Sequence, residues 1–281
     1  MSDATAFVPG HVTGFFTVDR DDDPTKAGSR GAGLALEDGV TVTVAGDDGQ
    51  APEAGERSVT LDGEAVDIEA VDIVLDTLKA DVAVEAESDV PLGTGFGVSG
   101  AMALGTALAT NAALDRGLSY NELVTIAHGA EVQAGTGLGD VVAQAAGGMP
   151  VRLEPGGPQD NYLDAVPYRP QVEYVSFGEL DTADVIGGDT ETLTRAGEQA
   201  LSQVVKEPTV EGFGYAARGF AREADLLTER VQRTITDVTG IGGEASMAML
   251  GETVFAFGSG LSEAGYAAEQ CRVDPAGARL V

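Results

Sequence analysis

Lysine is almost missing from this sequence. The 281 residues include three, Lys26, Lys79 and Lys206, and 16 basic residues face 46 acidic ones for a formal net charge of −30. Recognition of a nucleic-acid backbone over a broad face needs clustered Lys and Arg to displace counterions. The 13 arginines are scattered singly, so nucleic acid is not an expected partner. Cysteine is reduced to Cys271, which excludes an intrachain disulfide framework. Long apolar runs are lacking too: the longest, about 101–114, is broken by Gly105, Thr106, Thr110 and Asn111 and falls short of the ~20 residues that span a bilayer. The opening MSDATAF has neither the basic nor the apolar region of a secretion signal. A cytoplasmic protein without a membrane partner is expected.

What is present is 43% apolar residues in a chain long enough for two domains, which argues against a disordered or fibrous protein. The acidity is spread along the whole sequence rather than confined to a tail. Such self-repulsion is screened where the Debye length falls to ~3 Å, at about 1 M salt, so a salty cytoplasm is the expected setting.

The first third reads as strands. Residues 7–18 and 33–44 are β-branched and aromatic, and SVTLDGEAVDI sets an Asp-Gly turn at Asp62 and Gly63 between alternating runs, as in a hairpin. A short helix is predicted near Ala70 to Lys79, then a half-buried strand carrying Val82, Val84 and Ala86. From Val98 the Ala/Leu-rich texture predicts a helix, and Ser119 with Glu122 forms a capping box that opens the next. Proline, glycine and polar residues concentrate over 154–170, the expected domain boundary. Beyond it the sequence predicts a strand at QVEYVSF, helices over about 190–236, a strand at TVFAFG and a helix at SEAGYAAEQ.

The chemistry centres on PLGTGFGVSGAMALG, residues 91–105, where a strand gives way to a glycine-rich loop and a helix. Glycines allow close backbone approach to a polyphosphate, and the free N–H groups and dipole at a helix N-terminus face it. A protein poor in lysine can bind ATP in this way. No lysine follows a glycine, so a Walker A loop is excluded. Gly95, Gly97 and Gly100 do spell GxGxxG, but the acidic residue about 20 positions on, Asp115, lies between two helices rather than at the end of a strand.

This loop resembles the second motif of the GHMP small-molecule kinases, in which Pro and three residues precede Gly-Leu-Gly-Ser-Ser-Ala and a helix. Pro91, Gly95, Gly97 and Ser99 match, while Phe96, Val98 and Gly100 replace the leucine, the first serine and the alanine. VPGHVTGFF resembles the first motif, with His11 where many members have lysine. GTGLGDVVAQAAGG resembles the segment that bears the family's catalytic aspartate, here Asp140, and the third motif aligns only with SMAMLGETVFA, which keeps Gly251. The resemblance implies a two-domain α+β fold. Its N-terminal part, 1–155, would be of the ribosomal protein S5 domain 2 type, and its C-terminal part, 156–281, ferredoxin-like, with ATP and substrate in the cleft between them.

Within the superfamily the set VPGHVTGFF, GSRGAG, GFGVSGA, HGAE and GTGLGD is most similar to the archaeal pantoate kinases. That similarity implies phosphorylation of pantoate by ATP on the way to coenzyme A. Another small hydroxy acid or amino acid, mevalonate- or homoserine-like, and a non-catalytic ligand-binding role are the alternatives, and a homodimer is compatible with either. Phosphoryl transfer needs a metal on the phosphates, donors around them and a group for the hydroxyl proton. Pro91, Gly93, Gly95, Gly97, Ser99 and Gly100 are the expected nucleotide-binding residues. Ser99 and Glu131 are hard oxygen donors for Mg²⁺, although a serine there also serves as a helix cap. Asp140 is the expected base. Arg152 suits a substrate carboxylate, with hydrogen bonds from His128, which shares a helix face with Glu131, and from Ser29, which rests on the resemblance.

Overall fold

The computed structural model describes residues 3–45, 57–166, 168–179 and 190–281. Two long antiparallel strands, β1 (Ala4–Phe16) and β2 (Gly31–Val44), form its backbone. Their alternating Val, Ala, Phe and Leu side chains are buried, as strand periodicity requires of a sheet covered by helices. The turn between β3 (Ser58–Leu61) and β4 (Glu64–Ala65) is the expected Asp62-Gly63 pair, both residues with positive φ, the geometry a tight hairpin demands. Helix α1 (Glu69–Leu78) then crosses over so that β5 (Ala83–Ser88) runs parallel to β3 and antiparallel to β2.

Helix α2 (Val98–Ala113) packs on β1 and β2 and is buried nearly all round. Small residues let it sit close to the sheet: a Cβ on Gly105 would lie 2.5 Å from a Val42 methyl. Helix α3 (Tyr120–Ala134) opens with the predicted Ser119–Glu122 capping box, both halves formed. Helix α4 (Asp140–Ala146) follows, then β6 (Met149–Glu154), which pairs with both β2 and β7 (Tyr162–Val166). The chain therefore leaves the first sheet after Val166.

The second sheet combines β8 (Gln171–Glu179), β9 (Glu244–Ala248), β10 (Gly251–Phe257) and β11 (Glu269–Arg272) in the order β11-β8-β10-β9, all antiparallel. Numbered within the sheet this is 4-1-3-2, the βαββαβ arrangement expected of a ferredoxin-like domain. Between β8 and β9 come α5 (Glu191–Lys206), α6 (Val210–Glu223) and α7 (Glu229–Gly240), as predicted over 190–236. The helix expected at SEAGYAAEQ is corrected. Only the single turn α8 (Gly260–Glu263) forms, because Gly265 turns left-handed (φ 91°) and stops it, and Glu269 already belongs to β11.

The last strand, β12 (Arg279–Leu280), returns to pair with β1. The segment before it clasps the C-terminal end of α4: Ala278 N donates to Gln144 O at 3.0 Å, and Tyr120 Oη donates to the carbonyls of Ala145 and Ala278, both at 3.0 Å. The helix that begins with Asp140 is thus fixed from behind.

Candidate active site

The glycine-rich loop joins β5 to α2 and bends through left-handed backbone at Gly93, Gly95 and Gly97 (φ 79°, 91° and 63°), conformations that favour glycine. Gly97 is the N-cap of α2 and has no side chain to occupy the first-turn amides, so they stay available to an anion. Gly93, Gly95, Gly97, Val98 and Ser99 line a cleft of about 530 Å³ together with Thr13, Asp140, Met249 and Leu250. Among the described residues, no lysine or arginine lines it. Pro91 and Gly100 stand outside the lining. Pro91 is exposed and its carbonyl accepts from Thr94 Oγ1 at 2.9 Å, while Gly100 is buried under α4, where a Cβ would lie 3.2 Å from Val141 Cγ2.

The weakly matching third motif supports this loop from the other domain. Gly251 lies directly against the loop backbone, where any Cβ would overlap the Thr94 carbonyl, and Thr253 Oγ1 donates to that carbonyl at 2.8 Å. Thr253 lies within the segment aligned with the third motif, but Gly251 alone was matched there, so its part in the site was not legible in the sequence. Gln144 is a further one: its Nε2 donates to the Gly97 carbonyl at 2.9 Å and so ties α4 to the phosphate loop. Its position four residues after Asp140, on the same helix face, is the one sequence signal that could have pointed to it.

Ser99 is the second residue of α2 rather than its cap, and its hydroxyl is hydrogen-bonded to Glu131. Glu131 is 2% exposed on α3 and also accepts from Thr136 Oγ1 at 3.0 Å. Burial pushes its carboxyl up to about 7, with the nearby Asp140 charge adding to the rise and the Ser99 and Thr136 hydrogen bonds opposing it. Its Oε2 faces Gly137, where a Cβ would overlap it and would also lie 3.4 Å from Asp140 Oδ2. Glu131 and Asp140 thus approach the same small gap.

Asp140 is the first residue of α4, following its N-cap Gly139, and its carboxylate does not cap the helix. Its Oδ1 is 2.7 Å from His11 Nδ1 and 3.4 Å from Thr13 Oγ1. Burial alone would raise its pKa, but the hydrogen bond and electrostatic attraction of His11, with the Arg152 charge and Thr13, outweigh burial and hold it below the ordinary carboxylate range. It is therefore ionised at neutral pH.

Arg152 on β6 is 1% exposed and has no carboxylate among its hydrogen-bond partners in the described residues. Nε donates to the Ser29 carbonyl at 3.3 Å, Nη2 to Ser29 Oγ at 3.2 Å, and the buried Nη1 has no partner. Burial lowers its pKa to about 10, still cationic at neutral pH. Ser29 and Arg152 press on Gly139, where a Cβ would overlap Ser29 Oγ and lie 2.7 Å from Arg152 Nε, so both sit beside Asp140. His128, buried on α3, donates from Nε2 to the Ala27 carbonyl at 2.9 Å. Burial lowers its pKa, so the ring is neutral and Nδ1 carries a lone pair that can accept a hydrogen bond.

The GHMP kinases N terminal domain family matches residues 67–148, the span from α1 to the end of α4. Pantoate kinase of Methanocaldococcus jannaschii is 34% identical over 256 residues, covering 89% of this chain and 90% of that one. Pantoate kinase of Thermococcus kodakarensis is 36% identical over 262 residues, covering 89% and 86%. A solved structure described as a phosphotransferase related to the CoA biosynthesis pathway superposes with a TM-score of 0.88 at 31% identity, over 99% of this chain and 98% of that one.

Proposed function

Because the chain belongs to the GHMP kinase superfamily, in the family of the archaeal pantoate kinases, we propose that it transfers the γ-phosphoryl group of ATP to the 4-hydroxyl of (R)-pantoate. The observation that carries this reading is Arg152. A buried guanidinium with an unpaired N–H and no carboxylate on it costs free energy that a ligand carboxylate would recover, and pantoate brings one. Ser29 Oγ adds a hydroxyl at the same place, and His128 Nδ1 accepts from a substrate hydroxyl.

Asp140 then acts on the reacting hydroxyl. Oδ1 is held by His11, which leaves Oδ2 to orient that hydroxyl and take its proton as the oxygen bonds to the γ-phosphorus and the bond to the ADP oxygen breaks. The transition state is loose and demands little base strength, so a carboxylate of low pKa suffices. The amides of Gly95 to Ser99 hold the phosphates with Ser99 Oγ at the end of that row.

The donor set fits Mg²⁺. Ser99 Oγ and Glu131 offer hard oxygens side by side, a fitting pair for an ion that takes most of its ligands from phosphates and water. When bound, Mg²⁺ would neutralise phosphate charge that no lysine or arginine of the cleft offsets. A salt-rich cytoplasm is the setting that the −30 charge suits.

Arg152→Met tests the reading, since it keeps volume and removes the charge. We expect KM for pantoate to rise at least about tenfold with KM for ATP changed less than about twofold. Equal effects on both substrates, or none, would contradict the carboxylate role.

A further inference from the structure

The mechanism uses His11 only as the partner of Asp140 Oδ1 and leaves open which ring nitrogen carries the proton and what admits the ring. It is wholly buried on β1, its backbone N–H donates to the Phe96 carbonyl of the phosphate loop at 2.9 Å, and its Nδ1 meets Asp140 Oδ1. One residue therefore touches both the loop and the carboxylate. On the other side of the ring, Nε2 has no hydrogen-bond partner. It lies over the backbone of Gly33 on β2, so close that any Cβ there would overlap it.

These contacts fix the proton. Oδ1 of an ionised carboxylate can only accept, so Nδ1 must donate. An imidazolium would carry a second N–H at Nε2, in a place without an acceptor, and an unpaired buried donor is disfavoured by about 1–3 kcal/mol. The charged groups around the pair act in opposite directions, and burial decides between them. Arg152 from β6 disfavours a second cation, Asp140 from α4 favours one, Glu131 from α3 acts on Asp140, and burial dominates at His11. We propose that His11 is a positioning residue: a neutral imidazole protonated at Nδ1, which pins Asp140 Oδ1 so that Oδ2 faces the substrate hydroxyl, with Gly33 as the position that admits the ring. This rests on Asp140 being the group that handles the hydroxyl proton.

The arrangement orients the carboxylate without adding a charge beside Arg152. It also separates the two histidines of the chain. His128 donates from Nε2 and His11 from Nδ1, so they are opposite tautomers.

The test combines substitution with ¹⁵N-histidine NMR of the full-length protein in molar KCl. In His11→Asn the amide nitrogen falls near the position of Nδ1, whereas in His11→Gln it reaches towards the Gly33 wall. We expect His11→Ala to lower kcat about 10- to 100-fold with KM for ATP and pantoate within about threefold, and His11→Asn, but not His11→Gln, to restore most of the loss. The wild-type spectrum should show one Nδ1–H and one Nε2–H histidine, neither titrating between about pH 6 and 8, with the Nδ1–H signals absent from His11→Asn. Equal activity of the Asn and Gln variants, a normal kcat in His11→Ala, or two Nε2–H histidines would overturn the proposal. If the substitutions fail to fold, the wild-type spectrum alone decides. Asp140→Ala assayed alongside keeps the two readings apart: normal turnover there refutes Asp140 as the base, whereas loss of turnover there with normal His11 variants refutes only the positioning role.

Discussion

At the scale of the residue, the site brings together ionisable groups whose environments move their titrations in opposite directions. Asp140 is held ionised by a neutral donor, while Glu131, buried with a second carboxylate nearby, titrates near 7. The consequence for stability has a definite sign. Glu131 has its folded-state pKa raised from 4.5 to about 7, so its contribution is fully present below about pH 4.5 and is lost as pH rises through about 7. A change of that size corresponds to roughly 3 kcal/mol. Glu131→Gln should therefore melt higher than the parent at pH 8 without divalent metal, the gap closing towards pH 5. In the parent, where metal must displace the proton, affinity for MgADP should rise between pH 6 and 8; in the variant it should be weak and flat. Calorimetry checks both, and parallel pH dependences in the two proteins would remove Glu131 from the metal site.

At the scale of the element, the phosphate loop is shaped by its own glycines but held in place by a strand from the other sheet. Gly251 has no space for a side chain because the Thr94 carbonyl lies on it, so Gly251→Ala must push the loop away from β10. We expect KM for ATP to rise about 5- to 50-fold with KM for pantoate nearly unchanged, measured by initial rates; a change confined to pantoate would show that the strand serves the acceptor instead. Much at this scale was legible in the sequence. Long periodic segments such as β2 and α2 announce themselves, and the capping box fixed the start of α3. Short elements whose identity depends on a distant partner do not: β12 is two residues paired with β1, and β11 exists because β8 lies beside it. The site behaves likewise. Asp140, Glu131, Ser99 and Arg152 stand out by residue type near glycine, yet the contacts that orient them join positions 129 residues apart, as in His11 to Asp140, or 47 apart, as in Gln144 to Gly97. Only the folded chain reveals such pairs.

At the scale of the whole molecule, the −30 charge leads to a prediction about working conditions. Several arginines are already engaged by carboxylates, Arg30 with Asp19 and Glu198 and Arg57 with Asp76 and Asp81 among them, so few remain to offset the acidic excess. Repulsion among the rest acts over the ~10 Å Debye length at 0.1 M salt and is screened at ~3 Å in 1 M. Melting temperature and activity should rise with KCl into the molar range, and neutral osmolytes at equal osmolarity should not substitute; an unchanged melting temperature and full activity in 0.1 M KCl would contradict this. Capture of ATP by backbone amides, which act at short range, is compatible with such salt, whereas long-range steering by a basic patch is not.

The central claim is that this cleft phosphorylates a small hydroxy acid gripped through its carboxylate, and that the acid is pantoate. The most direct measurement is ADP release with MgATP in molar KCl across pantoate, mevalonate, homoserine, shikimate and galactose. Pantoate should exceed every other acceptor in kcat/KM by at least about 100-fold, and an inert pantoate beside turnover of another acceptor would contradict the account.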